Sequence, residues 1–171
     1  VPAVHIHPFI VHFTIALFSA SVLFDFIALL RRNEKLHFVG WWNLLLAGIS
    51  VVFAVGSGLW TKSQVVIPAS AETTLDTHQT IALVVAGFIL GLLFWRIGLR
   101  GGFPHRQKFI YGLVALIAVI FLFSGSYYGG KLVFEKGVGV EIQTRQDTEP
   151  LPQKQENPKQ RPGDEFMPEK K

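Results

Sequence analysis

The hexapeptide His12-Phe13-Thr14-Ile15-Ala16-Leu17 recurs 66 residues later as His78-Gln79-Thr80-Ile81-Ala82-Leu83. Five of the six positions are identical, and each copy opens a long apolar run. An imidazole at the head of an apolar, membrane-length segment is costly unless it has a task. Two of them in matched contexts point to one site assembled from two halves. The same repeat sets the expected architecture: two similar helical hairpins, related by a pseudo-two-fold axis along the membrane normal.

Working outward, four apolar runs stand at residues 9–30, 38–60, 81–99 and 109–128. Each has the roughly 20 residues a helix needs to cross about 30 Å of hydrocarbon. Extended chain is excluded there, because open sheet edges go unsatisfied in lipid. The expected fold is therefore all-α: an integral membrane four-helix up-down bundle over residues 1–142. Its helices are predicted at about 8–30, 38–61, 74–99 and 107–128, with the first and third diagonal across the bundle. Residues 143–171 are polar and rich in Pro, Gln and Lys, and read as an extramembrane tail. The first apolar run is too long for a secretory signal and no small-residue cleavage site follows it.

Half of the residues are hydrophobic and only 16% are charged, which is a membrane composition. Cysteine is absent. That excludes disulfides, thiolate-held iron–sulfur clusters, zinc–cysteine sites and covalently attached c-type haem. Charge sets the orientation. Arg31, Arg32 and Lys35 lie between the first two helices, and Arg96, Arg100, Arg106 and Lys108 between the last two. The middle connector has Lys62 alone as a base, against Glu72 and Asp76. Lys/Arg excess marks the cytoplasmic side. Both termini are then expected on the periplasmic side of a bacterial inner (cytoplasmic) membrane. The net charge of +4 is an orientation signal, not a nucleic-acid footprint.

Helix starts are legible as well. Pro8 suits a first helical position, and Thr73-Thr74-Leu75-Asp76 reads as a capping box. Counted from Pro8 and Thr74, His12 and His78 are both fifth residues, about 6 Å into their helices. His37 and His105 precede the second and fourth helices at nearly equal spacing, which extends the repeat. Gly87 and Gly91 form a G-x-x-x-G pair, and Gly48, Gly56 and Gly58 line the second helix; both patterns suit close helix contact or room for a flat macrocycle. Gly129-Gly130 is expected to make a tight turn, after which residues 132–134 lie along the outer surface.

The stretch His7-Pro8-Phe9-Ile10-Val11-His12-Phe13-Thr14-Ile15-Ala16-Leu17 resembles the signature of a large bacterial family known as domain of unknown function 2231. Gly129-Gly130-Lys131-Leu132-Val133 with Gly137-Val138-Gly139-Val140 looks like its closing motif, so the resemblance covers roughly residues 1–142. Thr14 stands where the family usually has Pro, and Tyr127 and Lys136 where many members have His. The family is similar in architecture to small b-type cytochromes. Fusion of some members to Rieske or cytochrome c domains implies electron transfer by association.

Imidazole ligates haem iron, copper and zinc. With no Cys and no Met nearby, His12 and His78 suit the two axial positions of one haem b. His7, expected at the cap of the first helix, would contact a propionate or serve as an alternative ligand. His5, His7, His12 and His78, with Asp76, are the alternative: a copper or zinc site on the outer face. The bland reading is that these imidazoles sit in the interfacial layer and bond to water. His37 and His105 would hold a second haem. Asp25, deep in the first helix, is expected to pair with Asn43 or a cytoplasmic base, or to relay protons. Trp41, Trp42, Trp60, Trp95 and Tyr127–Tyr128 read as interfacial belts. No nucleophile–base set, phosphate loop or carboxylate dyad appears. The expected function is a non-catalytic, b-type cytochrome-like electron-transfer subunit, its haem near the outer face. Its partners would be the lipid bilayer, other subunits of a membrane redox complex and a periplasmic electron carrier. The alternatives are a structural or assembly subunit of a respiratory or photosynthetic complex, and a periplasmic-face copper or zinc handler.

Overall fold

Four helices account for almost all of the chain that the computed structural model describes, which is residues 2–139, with side chains from Ile6 onward. They are α1 (Pro2–Arg31), α2 (Glu34–Gln64), α3 (Glu72–Gly98) and α4 (Lys108–Phe134). Single 3₁₀ turns at Ala69–Ala71 and His105–Gln107 lead into α3 and α4. The side chain of His5 and the expected tail at 143–171 lie outside the described residues. All four helices are long and apolar enough to cross a membrane. Large apolar side chains such as Phe9, Phe26, Phe53, Phe94 and Phe109 point outward. Lipid, not water, is the solvent such a surface requires. This is a multi-pass membrane protein.

Packing follows the hairpins. α1 lies along α2 and α3 along α4, and the hairpins join through α2–α3 and α1–α4 contacts. The core is a seam of Phe18, Leu44, Ala47, Ile89, Ala115 and Ala118, each nearly or wholly buried.

Several local expectations are corrected. α1 starts at Pro2, so Pro8 is inside the helix and His7 is a helical residue, not a cap. α2 starts at Glu34, where the Asn33 side chain accepts from Lys35 N at 3.0 Å; His37 is thus a residue of its first turn. The capping box at Thr73 does not form. Ala71 N–H donates to Pro68 O at 2.8 Å, and that 3₁₀ turn carries the chain straight into α3 at Glu72. Nor is Gly129-Gly130 a turn. α4 continues to Phe134 and ends where Lys136 and Val138 N–H reach back to Lys131 and Leu132 carbonyls. Gly137, at φ 65°, supplies the left-handed residue that this closure needs. Leu132 is buried rather than laid on the surface.

The internal repeat is real, but its register differs from that of the matching hexapeptides. On α1 the buried positions include Thr14, Phe18, Ser21 and Asp25; on α3 they include Val85, Ile89, Leu92 and Arg96. Each lies 71 residues after its counterpart. On α2, Gly40, Leu44, Ala47, Val51 and Ala54 are buried; on α4, Tyr111, Ala115, Ala118, Leu122 and Gly125 are. These pairs are also 71 apart. A methyl on Gly87 or Gly91 would meet nothing within 4 Å, so this pair makes no close helix contact, whereas a methyl on Gly48 would run into Leu93.

Candidate functional site

The register of 71 assigns the partners. His78 has His7, not His12, as its structural equivalent, and Asp25 has Arg96. Each histidine precedes its charged residue by 18 positions on the same helix, which is five turns or about 27 Å. The bundle therefore carries two levels of polar groups, one near each end of its span.

At the histidine level the two halves correspond, with one difference: His78 reaches its carbonyl directly and His7 reaches the equivalent carbonyl through Ser57. Gly125 O can only accept, so His78 Nδ1 carries the proton and donates at 3.0 Å. Ser57 Oγ donates to Ala54 O at 3.0 Å and accepts from His7 Nδ1 at 3.1 Å. Ala54 and Gly125 are themselves equivalents in the repeat. A methyl built on Gly58 would stand 3.0 Å from His7 Cε1, and one on Gly129 would stand 3.2 Å from His78 Cε1. These two glycines, again 71 apart, are where the rings rest. His7 and His78 are half-buried and within electrostatic reach of each other. On both rings Nε2 has no hydrogen-bond partner among the described residues, so it is the nitrogen available to a ligand.

His12 is placed differently. Five residues beyond His7, it is rotated by roughly 140° about the helix axis. It is exposed, and its Nδ1 donates to the Pro8 carbonyl of its own helix. Thus it is His7, not His12, that lies within electrostatic reach of His78, and His12 is on the exposed face of α1. Around the pair the bundle is open. No described side chain of α1 before Thr14 is buried, nor is any of α3 between Glu72 and Val84.

The other level is closed. Asp25 accepts from Arg96 Nη1 with both oxygens, at 3.0 and 3.3 Å, and from His37 Nδ1 at 2.9 Å. Arg96 Nη2 donates to His37 O at 3.0 Å and to Gly101 O at 3.2 Å. Its guanidinium lies 5.6 Å from the Trp41 ring and 5.8 Å from Phe103. All three charged or titratable side chains are buried. Arg96, which the sequence places among the connector bases, is thus an interior residue, and it is the base that Asp25 pairs with. Asn43 instead donates to Val39 O on the surface. Trp41 and Trp95 turn inward, the latter edge-on to Tyr111 at 5.7 Å, while Trp42, Trp60 and Tyr127 remain exposed as interfacial residues do.

The signal for this network was present in the sequence as the ladder 7-11-14-18-21-25 against 78-82-85-89-92-96. Opposite charges fall on its last rung and histidines on its first.

A four-helix membrane bundle made of two equivalent hairpins, with paired histidines at one end and a buried ion pair at the other, is the class of protein that fold and site define. Residues 3–142 match the family described as predicted membrane protein, domain of unknown function 2231, and the chain belongs to that family. No curated protein and no solved structure matches the chain.

Proposed function

We propose that the protein is a membrane-bound b-type cytochrome, a non-catalytic electron-transfer subunit whose single haem b is held axially between His7 and His78. The observation that carries this reading is the matched pair of imidazoles. Equivalent helices present two rings at equivalent depth, each with Nδ1–H tied down and Nε2 free. That is the state in which imidazole binds a metal, with the second nitrogen's hydrogen bond fixing tautomer and orientation.

The surroundings fit a flat apolar group. Ile10 and Val11 lie one turn on from His7, and Ile81 and Ala82 one turn on from His78, all only half-buried, and Gly58 and Gly129 keep the space beside each ring clear. Bound there, haem would supply one-electron redox chemistry. The chain's part is positional. Ser57 and the Gly125 carbonyl hold the two rings, and the apolar flanks keep water from the site. By the distribution of Lys and Arg, this end faces the periplasm of a bacterial inner membrane, where a soluble electron carrier or a neighbouring redox subunit would meet it.

The test is an absorption spectrum of the full chain purified from haem-replete cells, oxidised and reduced. A Soret band that shifts on reduction, and disappears in His7→Ala and in His78→Ala but not in His12→Ala, is expected. Protein without a haem chromophore would overturn the reading and leave a structural or assembly subunit in its place.

A further inference from the structure

The turns that close the two hairpins hold a second group of ligand-type side chains, at the opposite end from His7 and His78. Glu34 opens α2, His37 lies one turn on, and His105 stands in the 3₁₀ turn before α4. One ligand atom from each of the three lies within 4.8 Å of the others. His105 Nε2 and Glu34 Oε1 are 3.3 Å apart, and the His37 and His105 ring centroids are 5.4 Å apart.

His37 makes this more than a surface ion pair. Its side chain is only 4% exposed. Nδ1 is committed to Asp25 at 2.9 Å, and the ring is stacked on Phe103 at 3.9 Å between centroids. Its orientation is fixed from two directions, and Nε2 has no hydrogen-bond partner among the described residues. A buried imidazole with one nitrogen on a carboxylate and the other free is the arrangement that carboxylate–histidine–metal triads use. Asp25 is in turn anchored by Arg96, so the chain of support runs from guanidinium to carboxylate to imidazole.

We propose that Glu34, His37 and His105 bind one divalent ion of the zinc class. Two imidazole nitrogens and one carboxylate oxygen form a recurrent three-residue set for zinc, with a fourth position left to water. Soft-metal selectivity is not expected, since no sulfur ligand is available. The Glu34 and His105 side chains are 73% and 54% exposed, so the ion enters from the aqueous phase at this end of the bundle. The bound ion joins the start of α2 to the segment before α4. It thereby clips one hairpin to the other where Arg96 already reaches across to Asp25 and His37. This site is independent of haem binding at the other end.

The experiment is a titration of the full chain, purified in detergent without a polyhistidine tag, with Co²⁺ as a spectroscopic stand-in and Zn²⁺ as competitor. One equivalent of Co²⁺ should give ligand-field absorption of a low-coordinate site that Zn²⁺ displaces. Glu34→Gln and His105→Ala alter exposed side chains, so the fold survives, and each removes a direct ligand and should weaken binding by at least the roughly 10–100-fold that loss of an outer-shell partner costs. Zn²⁺ should raise the thermal midpoint of the parent protein and leave that of His105→Ala unmoved. His7→Ala should titrate like the parent. Absence of saturable one-to-one binding, or affinity unchanged in His105→Ala, overturns the proposal. Loss of the signal in His7→Ala with retention in His105→Ala does so too, by placing the ion at the other end.

Discussion

The two ends of the bundle are built on the same repeat and use it in opposite ways. At the histidine end the symmetry is kept: His7 and His78, the Ala54 and Gly125 carbonyls, and Gly58 and Gly129 correspond pair by pair. At the other end it is broken into complementarity. Asp25 faces Arg96, and where α2 has Gly40, α4 has Tyr111. A methyl on Gly40 would stand 2.6 Å from Asp25 Oδ1, so that glycine makes room for the carboxylate, while buried Tyr111 fills the equivalent space on α4. Equal groups facing each other cannot satisfy one another: two imidazoles with free Nε2 atoms both want the same kind of partner. Opposite groups can, and they close the core around themselves. The symmetric end therefore leaves both Nε2 atoms without a partner among the described residues, and the asymmetric end is the one that holds the hairpins together.

The largest effect should come from breaking the closed end. Arg96→Leu leaves Asp25 buried without its guanidinium and strips donors from the His37 and Gly101 carbonyls. Removing one partner of a buried pair costs about 3–5 kcal/mol. The thermal midpoint in detergent should fall steeply, or the protein should fail to accumulate in the membrane. The double variant Asp25→Leu/Arg96→Leu should recover part of the loss, since no lone charge remains. A double variant worse than Arg96→Leu alone would show that the pair is not the unit that matters.

Next in size is Gly40→Ala. Its methyl would also lie 3.2 Å from Ser21 O, a backbone atom that cannot step aside, and Ser21 Oγ itself donates to Gly40 O at 2.8 Å. Overpacking of this kind costs about 1–3 kcal/mol. Gly48→Ala meets only the end of the flexible Leu93 side chain and should cost less. Equal midpoints for the two variants would mean that the carboxylate has freedom which its three hydrogen bonds do not suggest.

At the open end, stability should respond little and cofactor content much. His7→Ala and His78→Ala should each shift the midpoint of the cofactor-free protein by no more than about 1 kcal/mol, the net worth of one hydrogen bond. Each should also abolish the haem spectrum. If both imidazoles hold one iron, the double variant should lose no more haem than either single one.

The spans, their number and the two-hairpin plan were legible because apolar runs and basic connectors are local properties of the sequence. The register of the repeat was not. The strongest identity, His-x-Thr-Ile-Ala-Leu, aligns His12 with His78, but burial depends on which face packs, and a shift of five residues turns the helix to another side. Arg96 was hidden for a related reason. Near the end of a run, beside Arg100 and Arg106, it reads as a connector base, and only the tertiary fold brings it to a carboxylate 71 positions away. Helix starts misled where the 3₁₀ turn Ala69–Ala71 and Asn33 set the entry in place of Thr73 and His37.

The smallest predicted effect tests the symmetry itself. Gly58→Ala and Gly129→Ala each add one methyl beneath an imidazole, at 3.0 and 3.2 Å from Cε1. Neither position has positive φ, and alanine favours helix over glycine by about 1 kcal/mol. The two contributions oppose each other, so the midpoint should move little in either variant. What should change is the ring position, and by the same amount on both sides. If one group is shared between the rings, the two substitutions should perturb its spectrum equally and in the same sense. Gly56→Ala, with nothing within 4 Å of the new methyl, should leave the spectrum alone and keep the helix-propensity gain. A response to Gly129→Ala without a matching response to Gly58→Ala would mean that His78 acts without His7, and that the repeat has lost its function at this end as it lost its symmetry at the other.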